Sequence, residues 1–399
     1  MTESVEPKRW LSKTVVGIVV AVFLSDFSHE MATAVLPLYL GAIGLGAGAL
    51  GVIEGLGDLL VSLSKLCGGL LGHKVQHKKP WIVVAYMITS VATSCMALAR
   101  GVGELAGLRA VAWVARGFRS PLRDYMLADA VEPTHFGRVY GLERTGDMLG
   151  AVSGPLVATI LIWFGYDVKL VLLVTLIPGL MAAGSIALLA RERIVPHEEV
   201  AKPPGQETIP RDFWRFLIGV SLFGLGDFSR SFLIFLAAQA LGESSHSTAG
   251  KISWAVGLYA LHNLISAAVA YPIGALGDRV SKLRLLVLGY GLGVATNIWL
   301  AFASGSLTGV VVAVVMSGIY LAFEETLEKA SAAKYLPRSR RSLGLGMLAG
   351  ANAFGDMASS LAVGFLLEAG HPGWAFGSAA FVGGLGVLWM ITQVSPSEN

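Results

Sequence analysis

Apolar runs of membrane-span length alternate with short polar, glycine- or proline-bearing breaks from residue 14 to residue 391. A helix needs about 20 predominantly apolar residues to cross the hydrocarbon core. The runs predict spans at 14–40, 49–72, 81–99, 107–131, 139–163, 170–190, 216–240, 251–275, 285–303, 309–333, 343–367 and 374–391. The longest hydrophilic stretch, 191–215, follows the sixth span. It carries Pro196, Pro203, Pro204, Gly205 and Pro210 among charges, which is linker composition. The expected fold class is an all-α polytopic membrane protein of about 12 transmembrane helices. The expected domains are an N-terminal six-helix bundle (1–190), a cytoplasmic linker (191–215) and a C-terminal six-helix bundle (216–399).

Composition fits this picture. Hydrophobic residues make up 54% of the chain and charged residues 14%, against about 25% charged in soluble domains. The 49 glycines suit close helix packing in lipid. The net charge of +3 reflects loop topology, and no basic–aromatic cluster points to nucleic acid. About nineteen Lys and Arg, from Lys8 to Arg341, fall in the loops on one side, and only Arg100 and Lys169 on the other. The positive-inside rule then places both termini in the cytoplasm. Short loops suggest a bacterial inner membrane and a monomer in the bilayer. Thr14 onward is read as a retained helix, not a cleaved leader. Cys67 and Cys95 lie within spans, so neither a disulfide nor a thiol metal site is expected.

The two halves repeat. Leu24-Ser25-Asp26-Phe27-Ser28-His29 is echoed about 201 residues later by Leu225-Gly226-Asp227-Phe228-Ser229-Arg230. Gly69-Leu70-Leu71-Gly72-His73-Lys74 is echoed by Gly274-Ala275-Leu276-Gly277-Asp278-Arg279, and Arg138-Val139-Tyr140-Gly141-Leu142 by Arg341-Ser342-Leu343-Gly344-Leu345. Such repeats build transporters whose cargo site lies at the midplane between halves.

Two six-helix halves, a basic central loop and a Gly-x-x-x-Asp-Arg turn after the eighth span resemble the major facilitator superfamily. The resemblance implies rocker-switch alternating access, with a cavity walled mainly by spans one, four, seven and ten. It assigns gating to Gly69, His73, Lys74, Asp278 and Arg279. His73 and Lys74 depart from the family pattern, standing where Asp and Arg are usual. The charge latch to span eleven is therefore not expected in its usual form. Gly146, Gly150, Gly154 and Pro155 are similar to the glycine–proline motif of the family's proton antiporters, although Ala158 replaces a further glycine. That similarity points to export.

Charges inside the spans carry the candidate chemistry. One at the bilayer centre costs about 2.5–3.5 kcal/mol even on lenient scales, and such groups usually line a pathway. Residues three, four or seven apart share a helix face. Asp26, His29 and Glu30 thus form a stripe on span one, and Glu54 and Asp58 one on span two. Arg116, Arg119 and Arg123 align on span four, Arg144 with Asp147 on span five, and Asp227 with Arg230 on span seven. On span ten Glu324 pairs in spacing with Glu328 and Glu325 with Lys329, and Asp356 lies on span eleven. Intramembrane carboxylates outnumber the basic groups, so some must take up protons or bind cations.

Proton coupling is accordingly assigned to Asp26, Glu30, His29, Asp227, Glu325 and Glu328. Cargo contacts are assigned to Asp26, Glu30, Glu54, Asp58, Arg116, Arg123, Asp227, Arg230, Glu324 and Glu325, with Arg119 read as neutralising the acids. Arg144, Asp147, Gly150, Gly154, Pro155 and Asp356 join the gating set.

Gly46-Ala47-Gly48-Ala49-Leu50-Gly51 fits the dinucleotide pattern but lies in a turn between two spans with no preceding strand. No P-loop, nucleophile elbow or Cys/His ligand spacing appears, so no enzyme, cofactor or resident metal is expected, and energy must come from an ion gradient. The expected function is proton-coupled export of a small cationic or amphipathic molecule. Two alternatives remain open. A divalent metal ion could cross at the acid stripes with His29 and His262. An organic anion or metal-chelating metabolite could be taken up at the span-four arginines. A non-transporting receptor would need neither paired halves nor a charged interior.

Overall fold

The computed structural model describes residues 10–42, 47–192, 208–230, 232–233, 236 and 248–394; the side chains of 37–38, 40–59, 62 and 248–256 lie outside the description. The helices are α1 (Lys13–Ala42), α2 (Ala47–Lys74), α3 (Lys79–Cys95), α4 (Val102–Asp129), α5 (Phe136–Trp163), α6 (Val168–Leu189, broken at Thr175) and α7 (Arg211–Gly224). They continue as α8 (Thr248–Gly277), α9 (Lys282–Ala303), α10 (Leu307–Tyr335), α11 (Arg341–Glu368) and α12 (Pro372–Gln393).

Their ends follow local chemistry. Ser281 and Ser306 cap α9 and α10 by accepting from the backbone N–H of Arg284 and Gly309. The α3 start is capped from a distance: both Glu192 carboxylate oxygens accept, at 2.6 and 3.1 Å, from the N–H groups of Lys78 and Lys79. Gly165 and Gly370 close α5 and α11 with φ of +84° and +77°. Only glycine adopts that region freely, and the two positions are related by the same internal repeat.

Among the described residues eight helices are apolar enough to cross a membrane on composition alone; the charged α4, the polar-interrupted α11 and the short α7 are not among them, and much of α2 lies outside that description. They take part because burial is inverted relative to a soluble protein. Arg109 and Glu328 are 1% exposed, whereas Phe302 and Leu188 are 88% and 86% exposed. Lipid can solvate the phenylalanine but not the arginine. Two apolar clusters fill each six-helix bundle, such as Val15, Ile18, Tyr86 and Phe136 in the first and Phe213, Leu286 and Tyr290 in the second.

Between the bundles, α5 packs on α8 and α10, and α2 on α11. Glycine permits the approach. A Cβ on Gly137 would sit 2.1 Å from Gly274 O, and one on Gly69 2.8 Å from the Gly346 Cα. These contacts lie at the end bearing the basic loops, where the halves are closed on each other. Within the first bundle, Gly150 and Gly154 let α5 settle on α1: a Cβ at either would come 2.5 Å from the carbonyl of Phe23 or Phe27.

The seventh span departs from expectation. A continuous helix over 216–240 is predicted, but α7 stops at Gly224, and Leu225–Arg230 is unwound. Two tight turns end it, with the N–H of Gly226 on Phe223 O and that of Asp227 on Gly224 O. Freed backbone groups find side-chain partners, as membrane burial demands. Asn297 Nδ2 donates to Gly226 O, and the Ser229 N–H donates to Ser360 Oγ, both at 2.9 Å.

Candidate functional site: a charged interior across the two halves

In α1, Asp26 and His29 are buried and Glu30 is half-buried. Asp26 pairs with Arg116 of α4, and its carboxyl also meets that of Asp147 on α5. His29 lies edge-on to Trp113 at 4.6 Å. The guanidinium groups of Arg109 and Arg116 lie 5.1 and 5.7 Å from the same indole, within cation–π range. Arg119, expected to neutralise acids, does something else. It donates to Thr89 Oγ1 at 2.8 Å and Ser25 Oγ at 2.6 Å and lies 3.9 Å over the Tyr86 ring. The side chains of Glu54 and Asp58 fall outside the described residues.

From Asp147 an alternation of charges crosses between the halves. Arg144 binds Asp147 at 2.6 Å and reaches Glu325 of α10 at 3.8 Å. Lys329 contacts Glu325 at 3.8 Å and Glu143 of α5 at 3.3 Å. Arg123 closes the chain, 2.7 Å from Glu143 and 2.9 Å from Asp124.

The second half holds a separate group at the α7 break. Arg230 lies 3.2 Å from Asp227 and 3.6 Å from Glu324, and Tyr320 donates to Asp227 at 2.7 Å. Glu328 differs from these acids. Tyr290 donates to one carboxyl oxygen and Asn352 Nδ2, at 2.6 Å, to the other. Among the described residues it forms no ion pair. Asp356 lies one turn beyond Asn352, within electrostatic reach of Lys65 on α2. His262 is held by Asn263 and Ser317 at 3.2 and 3.1 Å. No group of three or more His, Cys, Asp or Glu among the described residues is arranged to hold a metal ion.

Of the residues expected to gate, Gly69, His73, Lys74, Asp278 and Arg279 lie at the basic end, whereas Arg144, Asp147, Gly150, Gly154, Pro155 and Asp356 lie inside α5 and α11. Asp278 accepts from the N–H groups of Gly137 and Arg138, at 2.7 and 3.0 Å, and so holds the start of α5. His73 reaches the segment before α11, where Arg340 Nη1 and Ser339 O are each 2.9 Å from a ring nitrogen. Lys74 and Arg279 are exposed. Arg338 pairs with Asp129 across the halves. Burial lowers the nearby Lys78 ammonium from the ordinary lysine range, while Glu192 and Asp129 oppose that shift. Pro155 lies inside α5 beside Gly154.

Several partners escape a one-dimensional reading. Tyr290 looks like packing in an apolar helix, although its repeat mate Tyr86 also meets a charged residue of the neighbouring helix. Glu143 and Lys329 show a charge but not a partner, because that partner is on the other bundle.

Two repeated six-helix bundles, packed on each other at one end around buried charge, have the architecture of a membrane transporter. The family model of the Major Facilitator Superfamily matches residues 18–236 and 217–399, and the chain belongs to that superfamily. An uncharacterised MFS-type transporter of Methanocaldococcus jannaschii is 24% identical over 71% of this chain and 71% of its own length. The multidrug resistance protein MdtH of Aeromonas hydrophila is 24% identical over 78% of this chain and 79% of its own. The crystal structure of the human organic anion transporter MFSD10 superposes with a TM-score of 0.77 at 14% identity, covering 95% of this chain and 99% of that one.

Proposed function

We propose that the protein is a proton-coupled antiporter that exports a small cationic or amphipathic molecule from the cytoplasm across an inner membrane, working as a monomer. Both termini and the basic loops face the cytoplasm in this reading, and residues 191–215 link bundles 1–190 and 216–399, with α7 beginning inside the linker.

One observation carries the proposal: among the described residues, the acids in the interior of the second half outnumber the bases there. Asp227, Glu324, Glu325, Glu328 and Asp356 face Arg230 and Lys329, and Glu328 has only neutral hydrogen-bond partners. A buried carboxyl with no cation exchanges a proton more readily than one locked in an ion pair. Glu328 is the leading proton carrier, with Glu325, Asp227, Asp26, Glu30 and His29 in the same set. Contact between the Asp26 and Asp147 carboxyls supports a shared proton there too. A cationic cargo arriving beside Asp26 competes with Arg116. The name of the Aeromonas relative agrees with export.

The test is transport in proteoliposomes with an imposed pH gradient, using a lipophilic organic cation as probe. Glu328→Gln should abolish uphill movement while leaving downhill exchange. Undiminished uphill transport by that variant would remove Glu328 from the coupling role.

A second reading, proton-coupled uptake of an organic anion, is favoured by the cluster of Arg109, Arg116 and His29 around Trp113. Competition by aromatic carboxylates, and not by cations, would select it.

A further inference from the structure

His73 lies in the last turn of α2, half-buried, and both its ring nitrogens are engaged by the other half of the molecule. Those contacts fix its chemical state. A carbonyl oxygen only accepts, so Nδ1, 2.9 Å from Ser339 O, carries the hydrogen. A guanidinium has no acceptor, so Nε2, 2.9 Å from Arg340 Nη1, must present its lone pair. The closed arrangement therefore requires the neutral Nδ1–H imidazole. A proton added at Nε2 turns the acceptor into a donor and sets a second positive charge against the guanidinium.

The contact stands where the halves must part. One turn back, Gly69 faces Gly346, and a Cβ on Gly72 would meet Ser342 Oγ at 2.1 Å. The internal repeat supplies a comparison. Asp278, the counterpart of His73, holds the α5 start through two backbone N–H bonds to a carboxylate. That latch is made by a carboxylate, whereas the side chain in the first half is an imidazole, the group whose ordinary charge change falls between pH 5 and 8.

We propose that His73 is a pH-responsive latch. Neutral, it ties the end of α2 to the segment before α11 and keeps the basic face shut; protonated, it releases that face. The proposal rests on the alternating-access reading but not on the cargo or its direction.

The charges around His73 favour release. Lys74 adjoins it on α2, and Arg340 faces it from the segment entering α11, which also carries Arg338 and Arg341. Lys334 ends α10, and Lys78 and His77 lie on the loop that follows α2. The carboxylate that α4 contributes here, Asp129, is bound to Arg338, and Arg138 of α5 faces Asp278. Among the described contacts no acid is placed to hold an imidazolium at this point.

The experiment is pulsed electron double resonance between spin labels at Gln76 and Lys334, with Cys67 and Cys95 replaced by Ser. Lowering the pH from about 8 to about 5.5 should shift the wild-type distribution to longer distances, the open-to-closed ratio rising roughly tenfold, as expected for loss of a hydrogen bond to a charged group. His73→Gln can accept from Arg340 and donate to Ser339 at every pH, so its distribution should stay short. His73→Arg should be long at both pH values. An unmoving wild type, the same pH shift in His73→Gln, or a closed His73→Arg at pH 8 overturns the proposal. The readout is a distance and needs no cargo, so failure of the exporter reading would leave it standing or falling separately.

Discussion

Arg230 is the cation shared by Asp227 and Glu324, and it shows how single residues hold this interior together. Removing one member of a buried ion pair typically costs about 3–5 kcal/mol, because the other charge remains buried alone. Arg230→Met should therefore lower the melting temperature sharply at neutral pH. Adding Glu324→Gln should recover a large part of the loss. A double variant as unstable as Arg230→Met alone would mean that packing, not charge, sets the effect. The sequence displays the Asp227–Arg230 spacing plainly, because both partners are one turn apart. It hides Glu324, since that contact exists only once α7 and α10 are side by side. The same division runs through the whole site: Arg144 with Asp147 is legible, and Lys329 with Glu143 is not.

Among the elements, hydropathy locates nearly every helix to within a few residues, because loops with charges, glycine or proline end them. It fails at α7. The echo of Leu24-Ser25-Asp26 in Leu225-Gly226-Asp227 invites the same structure twice, yet α1 runs through and α7 unwinds. The difference is the glycine. A Cβ at Gly226 would lie 2.4 Å from Ala379 O and 2.6 Å from Gly383 N, so α12 packs directly on this backbone, and Asn297 and Ser360 complete its hydrogen bonds. Asn297→Leu strands the Gly226 carbonyl and should lower stability by about 1–3 kcal/mol, read as a drop in unfolding temperature. On α5 the glycines of the antiporter-like motif have a packing duty of their own. Gly150→Val drives a side chain into the Phe23 carbonyl and should destabilise the protein by about 1–3 kcal/mol. Gly184, which has nothing within 4 Å of its Cβ position, should accept the same change with little effect. Equal tolerance at both sites would show that α1 and α5 do not pack as described.

For the whole molecule, the ion pairs that cross between the halves matter more than those within either one. Arg144–Glu325 and Lys329–Glu143 join α5 to α10, and they lie behind the glycine contacts that close the basic face. In the proposed alternating-access cycle those pairs separate each time that face opens, which would make them part of the balance between its two states. Lys329→Met removes the cation between Glu143 and Glu325 and with it one of the two ion pairs that join α5 to α10, while Arg123 and Arg144 stay on the two acids; the loss favours separation. Thr145 offers a reporter, since its hydroxyl donates to Ala267 O of α8 at 3.0 Å and is covered while the halves are closed. With Cys67 and Cys95 replaced, a cysteine at position 145 should react slowly with a membrane-impermeant maleimide. The same cysteine with Lys329→Met should react several-fold faster. A rate unaffected by Lys329→Met would place the control of opening outside this charge chain and leave it to the latches at the helix ends.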